Sequence, residues 1–235
     1  NYEKGKKQLE EMIAYIKSEQ KVKINPLTLK TTLQSNFTKQ SYEEAVRKLQ
    51  HHIYEGDIFQ AVFSNQQKAE ATGSLLNTYR VLRTTNPSPY MVYMKTSEVE
   101  IACSSPETLI RLQDGTLSTF PIAGTRPRGK TTEEDEQLIQ QLQKDPKELS
   151  EHHMLVDLAR NDLGKISTFG SVQVKNSKEI LKFSHVLHMA TTVNGKIKEP
   201  FDAIDAIGAA LPAGTLSGAP KIRACQIIDE LEGTR

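Results

Sequence analysis

Two carboxylates one helical turn apart are the strongest chemical signal in this 235-residue sequence. Glu148 and Glu151 stand in DPKELSEHHMLVDLARNDLG, residues 145–164, and His152, Leu155, Ala159 and Asp162 follow at helical steps. On a helix that spacing gathers side chains on one side, so two acids head a stripe with an apolar middle. Like charges on a partly buried face are costly unless a cation, a proton or a basic partner neutralises them. Paired oxygens suit Mg²⁺, which keeps several waters and also binds anionic substrates. The same two residues would equally serve as first-turn acids that favour the helix dipole and face water. Other residues with chemistry to offer are spread along the chain. Gln60 is a lone amide in DIFQAVFSN, either bonded to a neighbour or aimed into a polar site. His188 shares a predicted strand face with Val186, Ala190 and Thr192, a pattern open to a satisfied core histidine and to a catalyst. The stretch PIAGTRPRG (121–129) reads as a rigid loop with exposed amides and two arginines. In GTLSGAPK (214–221) a glycine-rich segment feeds a helix start, a ready anion site. It is not a Walker A loop, because Pro220 precedes Lys221 and no Ser or Thr follows.

The elements that must position these groups can be read from caps and periodicity. Asp145 is a good N-cap, Pro146 fits the first helical position, Glu148 can complete a capping box and Gly164 reads as the residue after the helix end. Helical spacing is also present over residues 6–18, over a segment opened by Ser41 and Glu44 and ended by Gly56, and over 75–84, 131–144 and 201–211. Another helix follows GTLSGAPK. Strands are predicted at 58–64, 90–94, 99–104, 171–174 and 183–193, with a hairpin over 109–120 turning at Asp114-Gly115. Asn194-Gly195 reads as a second turn. Hairpins and helices without strict alternation argue for an α+β fold with antiparallel sheet.

The totals exclude several classes. The hydrophobic fraction of 37% supports a sizeable core, and 30 basic against 29 acidic residues argue against a nucleic-acid partner. Cys103 and Cys225 lack metal spacing and read as reduced, buried, cytoplasmic residues. No apolar run approaches membrane-spanning length, and no signal peptide opens the chain. Both ends read as cuts: the chain starts at Asn1 without Met and stops at Arg235 just beyond a predicted helix.

Six stretches together, IFQAVFS (58–64), SSPE (104–107), PIAGTRPRG, ELSEHHMLVDLARNDLG (148–164), FSHVLH (183–188) and GTLSGAPK, resemble the chorismate-utilising enzymes. Among these the match is best to the large subunit, component I, of anthranilate synthase, and it runs from about Ser41 to Arg235. The resemblance implies an α+β fold of two facing antiparallel sheets with helices outside and the site in the cleft, here incomplete. Residues 1–40 are then a helical lead-in and connector, and 41–235 a chorismate-binding catalytic domain whose C-terminal part is missing. It implies Glu151 as a Mg²⁺ ligand with Glu148 beside it, directly or through water, the ion holding the ring carboxylate of chorismate. Glu107 matches the general acid for the departing ring hydroxyl, and His188 a proton carrier near it. Gly124, Thr125 and Thr215 match substrate-contacting positions, and Gly214, Ser217 and Gly218 of the same loop as Thr215 are expected to bind substrate with them. Isochorismate- and salicylate-forming members carry a water-activating lysine where this chain has Gln60. Aminodeoxychorismate synthases typically carry a nucleophilic lysine where it has Ala123. Both positions therefore point to ammonia as nucleophile and anthranilate as product, a lyase reaction of tryptophan biosynthesis. The ammonia would come from a glutamine amidotransferase subunit, component II. The alternatives are component I of aminodeoxychorismate synthase in the folate pathway, a catalytically incompetent fragment, or a non-catalytic interaction module. Family members continue past Arg235 with an arginine for the substrate carboxylate and a second glutamate pair, so the segment alone is expected to be inactive.

Overall fold

The computed structural model describes residues 2–18, 23–183 and 186–233. Residues 19–22 of the expected connector, and Ser184 and His185 of the FSHVLH stretch, lie outside the described residues. The chain divides into two compact units, Asn1–Leu33 with Ala69–Pro106, and Gln34–Lys68 with Glu107–Arg235. In chain order, α1 (Tyr2–Lys17) and β1 (Thr28–Leu29) belong to the first unit. Next, β2 (Gln34–Ser35), α2 (Lys39–Tyr54), β3 (Gln60–Ala61) and β4 (Gln67–Lys68) belong to the second. The first unit resumes with β5 (Ala71–Thr72), α3 (Leu76–Thr85), β6 (Tyr90–Lys95) and β7 (Glu100–Ser105). The second then takes β8 (Arg111–Gln113), β9 (Thr116–Thr119), β10 (Ile122–Pro127), α4 (Thr132–Lys144), α5 (Pro146–Gly164), β11 (Gln173–Lys182) and β12 (Val186–Lys196). It ends with α6 (Ala203–Ala210), a 3-10 turn at Gly214–Leu216, β13 (Gly218–Ala219) and α7 (Lys221–Glu232). The result is a mixed α+β fold whose named strand pairs are all antiparallel.

In the first unit, β6 and β7 form a hairpin in which Tyr90 faces Ser105 and Lys95 faces Glu100. Glu100 accepts from the Ser74 and Tyr93 hydroxyls and from the Leu75 backbone N–H, and so anchors the start of α3. The apolar face expected along residues 6–18 does form on α1, but no residue of that helix is buried.

The second unit is built around β12. Its first half pairs with β10 and its second half with β9, while β11 runs along the other edge. β8 completes the sheet through the Asp114-Gly115 turn, where both residues take positive φ (49 and 72) as a tight hairpin requires. α5 lies on this sheet, and Leu117, Ala159, Leu163, Ile166, Val193 and Ala206 form one core. A second cluster, Leu49, Ile58, Ala224 and Ile227, joins α2 to α7.

Four local expectations are corrected. Most of PIAGTRPRG, Ile122–Pro127, is a strand, β10, rather than a loop, because Gly124 forms a bulge inside a ladder instead of ending one. Asn194-Gly195 is not a turn but the far end of β12, opposite Ser118 and Leu117. A Cβ at Gly195 would lie 2.3 Å from Ser167 Oγ, so that glycine serves close approach rather than chain reversal. Helix α2 is capped by Thr38, which accepts from the Ser41 N–H, one turn before the predicted start. Gly164 is the last residue of α5, with Lys165 as the αR cap that follows.

Candidate functional site

Helix α5 starts as its sequence dictates: the Asp145 side chain accepts from the Lys147 and Glu148 N–H groups, and Pro146 sits in the first turn. Those bonds, the Glu148 N–H first, together with the Arg126 guanidinium hold the Asp145 carboxyl below its usual range. The expected single stripe divides into two facets. His152, Leu155, Ala159 and Leu163 are buried toward the sheet. Glu151, Met154, Leu158 and Asp162 line an open cavity of ≈ 920 Å³, which Gln60 and Lys221 also border. The two glutamates are thus in different situations. Glu148 Oε1 accepts from Arg126 Nη1 at 3.1 Å, while Nη2 of the same arginine bonds Asp145 Oδ2 at 2.8 Å. Glu151 has no ion-pair partner among the described residues and stands at the cavity wall.

Glu148 is also the link to the sheet. Gly124 has φ 75, and a Cβ there would meet Leu142 Cδ1 at 2.7 Å and Glu148 Oε2 at 3.1 Å. Glycine is therefore required twice over, by the backbone and by the close approach of side chains from α4 and α5. The ladder shifts register at this residue: Ala123 faces Met189, Gly124 is the extra residue, and Thr125 faces His188. Residues directly opposite across a ladder meet on one face, and Thr125 Oγ1 lies 3.0 Å from His188 Nδ1. The Phe183 ring packs edge-on against the imidazole, with centroids 5.6 Å apart. Arg128 holds the Phe183 carbonyl at 2.7 Å.

The glycine-rich loop brings a second group. Thr215 Oγ1 donates to Glu107 Oε1 at 3.0 Å. Gly214 packs against Leu158 so closely that a Cβ would overlap its Cδ2, which seats the 3-10 turn on the cavity facet of α5. Ser217 turns its hydroxyl back to the Ala213 carbonyl. Gly218, with φ 151, passes over β3, where a Cβ would strike the Gln60 carbonyl at 2.3 Å. Of the sequence-predicted residues, Glu148, Gly124, Thr125 and His188 thus stand on the sheet side of α5, and Gln60 and Glu151 line the cavity. Gly214 is seated on Leu158 and Thr215 bonds Glu107, but Gly214, Thr215 and Glu107 are not among the residues that line the cavity.

The lysine at the start of α7 is engaged within the fold. Lys221 is 8% exposed; its Nζ bonds Asp162 Oδ2 at 2.7 Å and the Ala210 carbonyl at 2.8 Å. His152 is fully buried, with Nε2 2.6 Å from Thr191 Oγ1, and burial lowers its pKa to about 4. It is a neutral core histidine. Sequence reasoning missed the Arg126 clamp on α5 and the Arg128–Asp135 pair, in which Arg128 holds the buried Asp135 carboxyl below its usual range. The signal was the two-residue spacing of these arginines, which on a strand aims both at one side, ahead of the acid-rich starts of α4 and α5.

These donors can be weighed against a hard cation. Among the described residues no three His, Cys, Asp or Glu side chains cluster as a cage. Mg²⁺ seldom uses one; it takes one or two carboxylates and keeps waters and substrate oxygens. An unpaired carboxylate at a cavity wall fits that habit. Glu148 fits as a supporting group, because Arg126 already occupies one of its oxygens.

Comparison with known proteins bears on what the cavity is for. A family profile described as chorismate binding enzyme matches residues 1–235. Anthranilate synthase component 1 of Aquifex aeolicus (strain VF5) is 50% identical over 201 residues, 86% of this chain and 41% of that one. Aminodeoxychorismate synthase component 1 of Bacillus subtilis (strain 168) is 47% identical over 199 residues, 85% of this chain and 42% of that one. The crystal structure of anthranilate synthase component I from Streptococcus pneumoniae TIGR4 matches with a TM-score of 0.83 at 37% identity, over 98% of this chain and 51% of that one. The chain spans less than half the length of the two curated relatives.

Proposed function

The chain belongs to the chorismate binding enzyme family, and from that premise we propose that it serves as component I of an anthranilate synthase. In this reading chorismate and ammonia give anthranilate and pyruvate. The five-stranded sheet is then one side of two facing sheets, and the ≈ 920 Å³ cavity beside α5 is part of the cleft. Mg²⁺, held by Glu151 with Glu148 in support, would fix the ring carboxylate of chorismate. Glu107, an acceptor for Thr215, would protonate the ring hydroxyl as ammonia adds and that hydroxyl leaves. His188 carries a proton in the elimination that makes the ring aromatic. Thr125, Gly124 and the 214–218 loop supply neutral donors and backbone amides that orient a dianion without a competing charge. Ammonia would be delivered by a glutamine amidotransferase, component II.

The observation that carries the choice of nucleophile is Gln60. An amide, not a lysine, borders the cavity that Glu151 also lines. An amide has no lone pair basic enough to activate water, so ammonia is the better-supported nucleophile. The aminodeoxychorismate reading is favoured by the 47% identical Bacillus subtilis relative and opposed by Ala123, buried in β10 where a nucleophilic lysine would stand.

Product analysis with chorismate, Mg²⁺ and ammonium tests this. It should be run on the 235 residues alone and on the same residues completed by the remainder of the Aquifex relative. The chain alone is expected to give no product. Anthranilate from the completed chain supports the reading, and aminodeoxychorismate replaces it with the second. If the completed chain leaves chorismate unconsumed, both fail and a non-catalytic role takes their place.

A further inference from the structure

His188 has a second neighbour at Nδ1. Besides Thr125 Oγ1 at 3.0 Å, the carbonyl oxygen of Gly124 lies 3.3 Å away. The two neighbours differ in what they allow. A hydroxyl can meet either form of a ring nitrogen, as donor or acceptor. A carbonyl only accepts, so it can meet only Nδ1–H. When a neutral imidazole carries its hydrogen on Nδ1, the lone pair is on Nε2.

The backbone explains why this carbonyl is available. In an unbroken ladder Gly124 would face His188 and its polar groups would belong to the sheet. The bulge takes Gly124 out of pairing, advances Thr125 to face His188, and leaves the glycine carbonyl beside the imidazole. Phe183 packs edge-on against the same ring. Three features of one short segment thus act on a single nitrogen: the positive φ of Gly124, the extra residue, and the Thr125 hydroxyl.

We propose that the Gly124 carbonyl, with Thr125 beside it, holds neutral His188 as the Nδ1–H tautomer, so that the residue enters the reaction as a base at Nε2. An unconstrained histidine side chain favours the opposite tautomer, so the geometry makes a distinct claim. Gly124 and Thr125 are positioning residues in this account. The catalytic part rests on the proposed function. Nε2 takes the ring proton, the C–H electron pair enters the aromatic ring, and the enolpyruvyl C–O pair departs on oxygen. The imidazolium then returns its proton to the leaving group, which becomes pyruvate.

The tautomer can be read without substrate, which separates this inference from the reading it rests on. Long-range proton–nitrogen correlation spectra of the ¹⁵N-histidine chain at about pH 8.5, well above an ordinary histidine pKa of ~6.5, report which ring nitrogen carries hydrogen. Loss of one signal set in His188→Gln assigns His188 among the six histidines. An Nδ1–H pattern supports the proposal, and an Nε2–H pattern overturns it. In Thr125→Val the pattern is expected to persist, because the carbonyl remains. A switch to Nε2–H would show that the hydroxyl sets the tautomer and would overturn the role given to Gly124. If Thr125→Val does not fold, the spectrum of the unaltered chain still decides. The production of anthranilate by the completed chain is a separate result and leaves the tautomer measurement as it stands.

Discussion

Two carboxylates of nearly equal exposure sit in the two units of this chain and have been put to different uses. Glu100, on β7 of the first unit, is 17% exposed; Glu148, at the head of α5 in the second, is 19% exposed. One oxygen of Glu100 is met by three neutral donors, Ser74, Tyr93 and the Leu75 N–H, while Lys95 stands 3.6 Å from the other, and the Ser74 hydroxyl foremost holds its carboxyl below the usual range. Glu148 is held by a single guanidinium, and its neighbour one turn on, Glu151, faces the cavity with no ion-pair partner among the described residues. An acid whose lone pairs are met by the fold belongs to the fold. An acid left open at a cavity wall is available to something that arrives.

The sharpest way to break this contrast is to neutralise the two acids of α5 separately in the completed chain. Glu151→Gln is expected to cost more than the ~10–100-fold typical of a group that only supports a metal ligand. Glu148→Gln is expected to fall within that range, since its role is to hold Arg126 and assist. Turnover against Mg²⁺ concentration checks both. Equal losses, or a larger loss at Glu148, would reverse the assignment of ligand and support.

His152 sharpens the contrast from within α5, because it faces the sheet while Glu151 next to it faces the cavity. Its folded pKa, about 4, lies below the ordinary value of 6.5. As pH falls, the unfolded chain therefore takes the proton first. Stability is complete above an unfolded pKa of ~6.5 and is lost as pH drops through the window toward ~4, by about 3 kcal/mol at the lower end. Carboxylates with lowered values, such as Asp135 and Asp145, add their losses mainly below that window. Denaturant unfolding at several pH values should show the slope, and His152→Gln should flatten it. An unchanged slope in the variant would show that another group is responsible.

Much of this arrangement was legible in residue types. The Asp145-Pro146 start of α5, the Asp114-Gly115 hairpin and the acid pair followed from rules that act within a few residues. What stayed hidden depends on partners distant in sequence. Gly124 and Gly195 both read as chain punctuation, yet each lies in a strand, where the approach of Leu142 and of Ser167 demands a residue without Cβ. The helical stripe was correct as a spacing and too broad as a surface. A sheet on one side and a cavity on the other divide it between His152 and Glu151, and no periodicity records where that edge falls. The clamp on Glu148 is hidden for the same reason, since the residues around Arg126 read as a loop.

The smallest expected effect belongs to Glu100, and it tests the other half of the contrast. Glu100→Gln keeps an acceptor oxygen for Ser74, Tyr93 and the Leu75 N–H but removes the charge that strengthens those bonds and that Lys95 faces at 3.6 Å. The melting temperature near neutral pH should therefore fall modestly. Because the folded carboxyl titrates below its ordinary value, its stabilisation is present above the unfolded pKa and is lost as pH falls through the folded one. The variant should accordingly lose less on acidification than the parent chain. Turnover of the completed chain should change far less than it does in Glu151→Gln. If Glu100→Gln instead left melting untouched and removed activity, the well-satisfied acid would be the functional one, and satisfaction by neutral donors would no longer distinguish the two regions.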